Sequence, residues 1–259
     1  MLNGPILKRM ALQVLIIPAL LMSGLSAAEG VKSSADKKNL AAVETVIQTG
    51  LKQVNEGLVL ESIEATPVSG IYQVQMKSGE LLYVSDDGRY IFSGDLMKIR
   101  KDGLDNLTDK VREQQVRKRL AAVDAEGLIV FSPKGERKGI LYVFTDVDCG
   151  YCRKLHQEVP ELNEKGVEVR YLAFPRGGER APAFGKMVSA WCAKDRKQAM
   201  TTLKSGGSIP TLTCTNPVND QYQLGISLGV RGTPAIYLED GRSIPGYQPA
   251  DSLLKLMGL

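Results

Sequence analysis

Hydrophobic spacing along the chain changes period three times. From Asn39 to Leu51 the apolar residues Leu40, Val43, Ile47 and Leu51 recur every three or four positions. That is one face of a helix, and Gly50 and Gly57 punctuate its end. The pattern then shortens to period two. Val59–Thr66 stops before Pro67, and Ile71–Lys77 sets Tyr72, Val74 and Met76 on one face and Gln73, Gln75 and Lys77 on the other. Leu81–Ser85 and Arg89–Ser93 flank Asp86-Asp87-Gly88, a hairpin turn signal. One helix on a small antiparallel sheet is a thin core, to which association with a second copy would add.

Over 98–126 the apolar residues thin to Leu104, Leu107, Val111, Leu120 and Val123 among many charges, which predicts a largely solvated linker helix ending before Gly127. Strands and helices alternate beyond it. Leu128–Phe131, Ile140–Thr145 and Val167–Phe174 read as strands, and a helix runs from Cys149 to about Glu164. Ala181–Lys204 is mostly helical, Asn219–Leu228 is helical, Ala235–Leu238 and Ser243–Gly246 flank an Asp240-Gly241 turn, and Ala250–Leu259 closes as a helix. A β-α-β unit followed later by a hairpin and a helix is the order of a thioredoxin-like layer.

The first residues carry a different signal. Lys8 and Arg9 precede an apolar run from Met10 to Met22, and Ser26-Ala27-Ala28 supplies small residues for cleavage before Glu29. A membrane helix needs about 20 apolar residues, so this shorter run predicts a cleavable export signal over 1–28 and a compartment where disulfides persist, a bacterial periplasm above all.

Composition narrows the function classes. The 259 residues hold 33 Lys and Arg against 29 Asp and Glu, a net charge of +4 that falls to +2 once Lys8 and Arg9 leave with the signal. The basic residues of 98–126 are interleaved with acids and lack aromatic partners, which argues against nucleic acid as a ligand. One histidine excludes metal sites and triads that need several. Four cysteines are few for a disulfide scaffold, so their positions carry the information.

Cys149-Gly150-Tyr151-Cys152 stands where a strand feeds a helix. The unpaired N–H groups and dipole of a helix N-terminus favour a thiolate, lowering Cys149 below the free value of about 8.5 and making it the nucleophile. Cys152, one turn inside, would resolve the mixed disulfide and should be the more buried thiol. Tyr151 offers an apolar ring beside the sulfur. A zinc half-site fails on ligand count, since Cys192 and Cys214 form no second C-x-x-C. Those two cysteines read as a structural, buried disulfide, with a second redox pair as the alternative. Thr233-Pro234, just before a strand, is where a thioredoxin-like fold places a cis-proline, freeing the Thr233 backbone for an extended substrate. His156 lies on the same helix face as Cys149, as a packing residue or as a modulator of the thiolate. Asp148 should raise the Cys149 pKa and Arg153 lower it, and the residues alone leave that balance open.

Several blocks then align in order with one family. Phe144-Thr145-Asp146, the Cys149–Cys152 motif, Lys154-Leu155-His156, Arg170 to Arg176, Trp191 to Asp195, Gly232 to Ala235 and Pro245 to Pro249 resemble the DsbC/DsbG family of bacterial periplasmic disulfide isomerases. The resemblance implies an α+β and α/β chain. It would have a cystatin-like N-terminal dimerisation domain (29–97), a linker helix (98–126) and a thioredoxin-like catalytic domain with a helical insertion (127–259). It implies a V-shaped homodimer and no cofactor. It implies Cys149 as attacking and Cys152 as resolving thiol, substrate contacts at Tyr151, Thr233 and cis-Pro234, and a structural Cys192–Cys214 bridge. The implied partners are exported proteins with non-native disulfides and a membrane thiol reductase of the DsbD type. Asp148 and Arg153 depart from the Thr and His common at those family positions, a difference that bears on thiolate pKa rather than reaction class. A DsbG-like reductase or chaperone, or a thiol oxidase, is the alternative, and the second cysteine pair and the Gly-Tyr dipeptide favour the isomerase.

Overall fold

The computed structural model describes the backbone from Ser34 and side chains from Asn39 onward. The export signal expected over 1–28 lies outside the described residues. Among the described residues no helix is long and apolar enough to cross a membrane.

Helix α1 (Ser34–Val54) lays Ile47 and Leu51 on a four-stranded antiparallel sheet. Its strands are β1 (Leu60–Ala65), β2 (Ile71–Met76), β3 (Leu81–Ser85) and β4 (Ile91–Phe92), in that order across the sheet. Leu60, Ile63, Val74, Met76, Leu82 and Val84 complete this core. The β3–β4 turn falls at Asp86-Asp87-Gly88, where the Gly88 N–H donates to the Ser85 carbonyl at 2.9 Å. The alternation of β2 holds, with Tyr72, Val74 and Met76 on this core, and on the opposite face Gln75 is buried and accepts from the Gln115 amide at 2.6 Å. Its face of the sheet is covered by a helix rather than by water.

That helix is α2 (Leu107–Ala121), shorter than the helix expected over 98–126. The first third of the expected helix is instead a hairpin of β5 (Met97–Arg100) and β6 (Gly103–Asn106), with Ile99 opposite Leu104. The physical cause is local. Gly103 sits at φ +147, a conformation closed to other residues, and turns the chain after Lys101-Asp102. Asn106 then caps α2 by accepting from the Asp109 N–H. Nor is α2 only a solvated spacer. At its start Thr108 is fully buried and bonds the Tyr83 hydroxyl at 2.6 Å and the Leu96 N–H at 2.7 Å. Near its end Leu120 and Val116 enter a core that belongs to the following sheet. Gly241, at φ +95 in a later turn, lies so close that a Cβ there would collide with the Glu113 carbonyl of α2.

A single turn of 3-10 helix (Ala125–Gly127) leads into a five-stranded sheet of order β11-β10-β8-β9-β7. Its strands are β7 (Ile129–Phe131), β8 (Gly139–Thr145), β9 (Val167–Ala173), β10 (Ala235–Leu238) and β11 (Ser243–Ile244). Only β8 and β9 run parallel, joined by α3 (Gly150–Glu164) in the β-α-β unit expected. Strand β7 pairs with β9 rather than with its sequence neighbour β8. Leu141 and Val143 of β8 face one core, while Ile140, Tyr142 and Phe144 face the other. The first core takes α3, α4 (Pro182–Trp191), α5 (Arg196–Lys204) and α7 (Ala250–Met257), with Trp191 fully buried. The second takes α6 (Val218–Ser227) and the end of α2. Each fully buried Leu, Ile or Val contributes on the order of 2 kcal/mol, so these two faces hold the β8–α3 junction rigidly.

Candidate active site

The β8–α3 junction is shaped by Asp146, whose carboxylate is 3% exposed. Its Oδ1 accepts from the Asp148 N–H at 2.8 Å, and its Oδ2 accepts from the Arg176 N–H at 2.9 Å and Nε at 3.0 Å. The loop therefore presents Cys149 as the N-cap of α3. Its sulfur takes the place of the usual capping oxygen and accepts from the Cys152 N–H at 3.4 Å. The Thr233 carbonyl lies 3.2 Å from the same sulfur, at a cis Thr233–Pro234 bond. The Thr233 hydroxyl is buried with no hydrogen-bond partner other than the sulfurs of the motif. A Cys149 thiolate would give it an acceptor.

The two thiols are pushed in opposite directions. Cys149 falls to about 5, chiefly because the Cys152 thiol donates to its sulfur, with the Thr233 hydroxyl, the Cys152 N–H and the Arg176 charge acting the same way against burial. Cys152 rises, because burial and that same hydrogen bond to Cys149 both favour its protonated form. Exposure does not separate them, since Cys149 is 3% and Cys152 1% exposed. The arrangement provides a thiolate at an outward helix end and a protonated thiol behind it, the pair needed for attack and resolution.

Tyr151 is 64% exposed, and its ring stacks on Tyr247 at 5.9 Å. Tyr247 is fixed by its hydroxyl on Glu158, whose other oxygen accepts from the Ala250 N–H, and Lys154 Nζ lies 4.6 Å over its ring. These groups form an aromatic ledge beside the motif. Asp148 is held by Lys186 Nζ, 2.9 Å from both carboxylate oxygens, and by Arg153 at 3.5 Å. Arg153 Nε also donates to the Val147 carbonyl at 2.9 Å. His156 is buried, with Nδ1 2.9 Å from the Tyr171 hydroxyl and Nε2 3.1 Å from the Thr201 hydroxyl. Burial first, and the Lys204 charge second, lower its pKa to about 4. Both ring nitrogens thus bond hydroxyls rather than a sulfur, as suits the packing alternative.

Cys192 and Cys214 are bridged at 2.05 Å. The bridge is not buried as the sequence suggested. Cys192 is half-buried at the end of α4 and Cys214 is exposed. Among the described residues no three His, Cys, Asp or Glu side chains gather as a metal-holding group.

Sequence reasoning named Cys149, Tyr151, Cys152, Thr233 and Pro234 together, and the fold brings all five to one place. It missed Asp146 as the organiser of the loop, and it missed Arg176, Tyr247 and Lys204. Arg176 had a signal, because it follows the carboxyl end of β9, beside the parallel strand that delivers Cys149. Tyr247 had one as well, standing inside the Pro245 to Pro249 block, whereas Lys204, far along the chain, had none.

Residues 32–109 match the disulfide bond isomerase protein N-terminal domain, and 125–258 match a thioredoxin-like domain. The chain is 35% identical over 223 residues to the thiol:disulfide interchange protein DsbC of Escherichia coli (strain K12), covering 86% of this chain and 89% of that protein. It is 41% identical over 192 residues to the protein of the same name from Salmonella typhimurium, covering 74% and 78%. A crystal structure of a disulfide interchange protein from Neisseria gonorrhoeae matches at 30% identity and a TM-score of 0.47, over 52% of this chain and 96% of that one.

Proposed function

The chain belongs to the DsbC family of thiol:disulfide interchange proteins, and on that premise we propose that it is a periplasmic, homodimeric protein-disulfide isomerase whose reactive pair is Cys149 and Cys152. The observation that carries this reading is the capping geometry: Cys149 is placed by α3 as a low-pKa sulfur with Cys152 behind it. Cys149 attacks a non-native disulfide of an exported protein, forming a mixed disulfide and releasing one client thiolate. A second client thiol then displaces Cys149, or Cys152 does so when the client stalls. The Thr233 backbone beside Pro234 would pair with the extended client chain, and the Tyr151–Tyr247 ledge would meet its apolar side chains. A membrane reductase of the DsbD type would return the pair to the dithiol form.

Cys149→Ala tests the assignment. The variant should refold a scrambled multi-disulfide substrate no faster than buffer containing a small thiol, and catalysis persisting in it would overturn the reading.

The dimer is supported by the edge of the first sheet. Strand β4 is two residues long, and Tyr90, Ile91 and Phe92 are each about half exposed, with Ile99 at 83% on the neighbouring hairpin. An apolar edge of this kind invites a second copy. Sedimentation equilibrium on residues 29–259 should give twice the chain mass, and on a chain starting near Gly127 the single mass. A monomeric 29–259 would remove the dimer from this proposal.

A further inference from the structure

Lys204 is the most deeply placed cation of the site. It comes from the last turn of α5, 59 residues from the strand it touches, and it is 3% exposed. Its Nζ donates to the Thr145 hydroxyl at 2.5 Å and to the Asp146 carbonyl at 2.9 Å, both at the end of the strand that delivers Cys149. Among the described residues no carboxylate pairs with it. The Asp146 carboxylate, the obvious candidate, is already taken by Arg176 and the Asp148 N–H. An unpaired buried ammonium is costly, so the amine calls for an explanation beyond packing.

The backbone of Asp146 supplies one. Its carbonyl accepts from Lys204 at 2.9 Å and from the Cys149 N–H at 3.2 Å, so the amine and the start of the C-x-x-C motif meet on one oxygen, and the Lys204 charge acts on Cys152. The remaining groups around the amine are Cys149, Arg153 and His156 of α3 and Tyr171 of β9, whose ring centre is 5.7 Å from Nζ. Of these only Cys149 can bear a negative charge, and it gives that charge up once its sulfur is tied into a mixed disulfide, the state from which Cys152 must attack.

We propose that Lys204 serves the resolving half of the exchange by taking the proton that buried Cys152 must lose before it can attack. This rests on Cys149 and Cys152 being the reactive pair. A neutral amine beside Cys152–SH and an ammonium beside a Cys152 thiolate contain the same number of protons, so the transfer creates no net buried charge. A thiolate formed there alone would bear the full desolvation cost. In the step, the Cys152 S–H proton passes to the Lys204 amine. The Cys152 sulfur bonds the Cys149 sulfur, and the bond from Cys149 to the client sulfur breaks. The electron pair leaves on the client as a thiolate, which gains its proton from the ammonium or from solvent. Cys149 and Cys152 are oxidised by two electrons to a disulfide, and the client disulfide has become two thiols. Two features suit the amine to this part. Burial brings its pKa down to about 8, within reach of neutral conditions, and its two hydrogen bonds occupy both N–H groups of the neutral form, leaving the lone pair free.

Stopped-flow reaction of the reduced protein with equimolar 5,5′-dithiobis(2-nitrobenzoic acid) separates the two halves. The first yellow thiolate reports attack by Cys149, and the second reports closure by Cys152. In the native protein the second phase should rise with pH through an inflection near about 8. Lys204→Met should slow the second phase at least ~10-fold at pH 7 and move the inflection upward, while the first phase changes less than ~3-fold. Lys204→Arg, which keeps the charge but cannot give up a proton at these pH values, should lose the inflection as well, and it covers the case in which the methionine variant fails to fold. A second phase with native rate and pH profile in either folded variant would overturn the proposal. Absence of any fast first phase in the native protein would instead overturn the assignment of the reactive pair.

Discussion

The two cysteine pairs stand at opposite ends of helices. Cys149 caps the N-terminus of α3, where its sulfur meets N–H groups, whereas Cys192 caps the C-terminus of α4, where its neighbours are the carbonyls of Val188 and Ala190. A thiolate is favoured at the first position and disfavoured at the second. Burial runs the other way from intuition. The dithiol proposed to carry the chemistry is almost wholly covered, while the bridge reaches the surface at Cys214. Helix polarity and nearby donors, rather than depth, therefore separate a reactive pair from a structural one in this molecule.

The comparison breaks if the bridge takes part in exchange. Replacing it with Cys192→Ala/Cys214→Ala reopens a loop spanning 22 residues and should cost about 3 kcal/mol of stability, read as a lower urea midpoint. Exchange by the remaining folded protein should stay within about twofold of native, since the bridge supplies no donor to either active sulfur. A folded variant with the Cys149 reaction intact but turnover lost would make Cys192 and Cys214 a second redox pair, the alternative their spacing left open.

The same contrast explains what could be read from the chain. The β8–α3–β9 unit was legible because its apolar runs and its motif at the helix start agree. The 98–106 stretch was not, because a hairpin made of Lys, Arg and Asp has the composition of a solvated helix, and only Gly103 marks the turn. Nor does anything local to Gln75 announce that α2, 40 residues on, covers it. The electrostatics of the thiols were least legible of all. Asp146 and Arg176 are 30 residues apart, Lys204 and Thr145 are 59 apart, and only the folded sheet makes them neighbours. Local sequence marks the candidate thiols, and residues distant in sequence set how their protons are held.

The finest test concerns Asp148, where sequence reasoning set a carboxylate against Arg153 and could not weigh them. The structure adds Lys186, which holds both carboxylate oxygens, so the charge beside Cys149 is a compensated cluster rather than a lone anion. Asp148→Asn removes the anion and leaves two cations, which should lower the Cys149 pKa rather than raise it. Both cations are well exposed, and pairs of that kind are worth at most about 1 kcal/mol, which corresponds to a shift below about 0.7 pH unit. The rise of thiolate absorbance at 240 nm with pH measures it directly, with the native midpoint near about 5. A downward shift of that size leaves the Cys152 thiol and the helix start as the main determinants of the thiolate. A shift of two units or more in either direction would mean that this surface cluster, and not the end of α3 on which Cys149 stands, separates the reactive pair from the bridge.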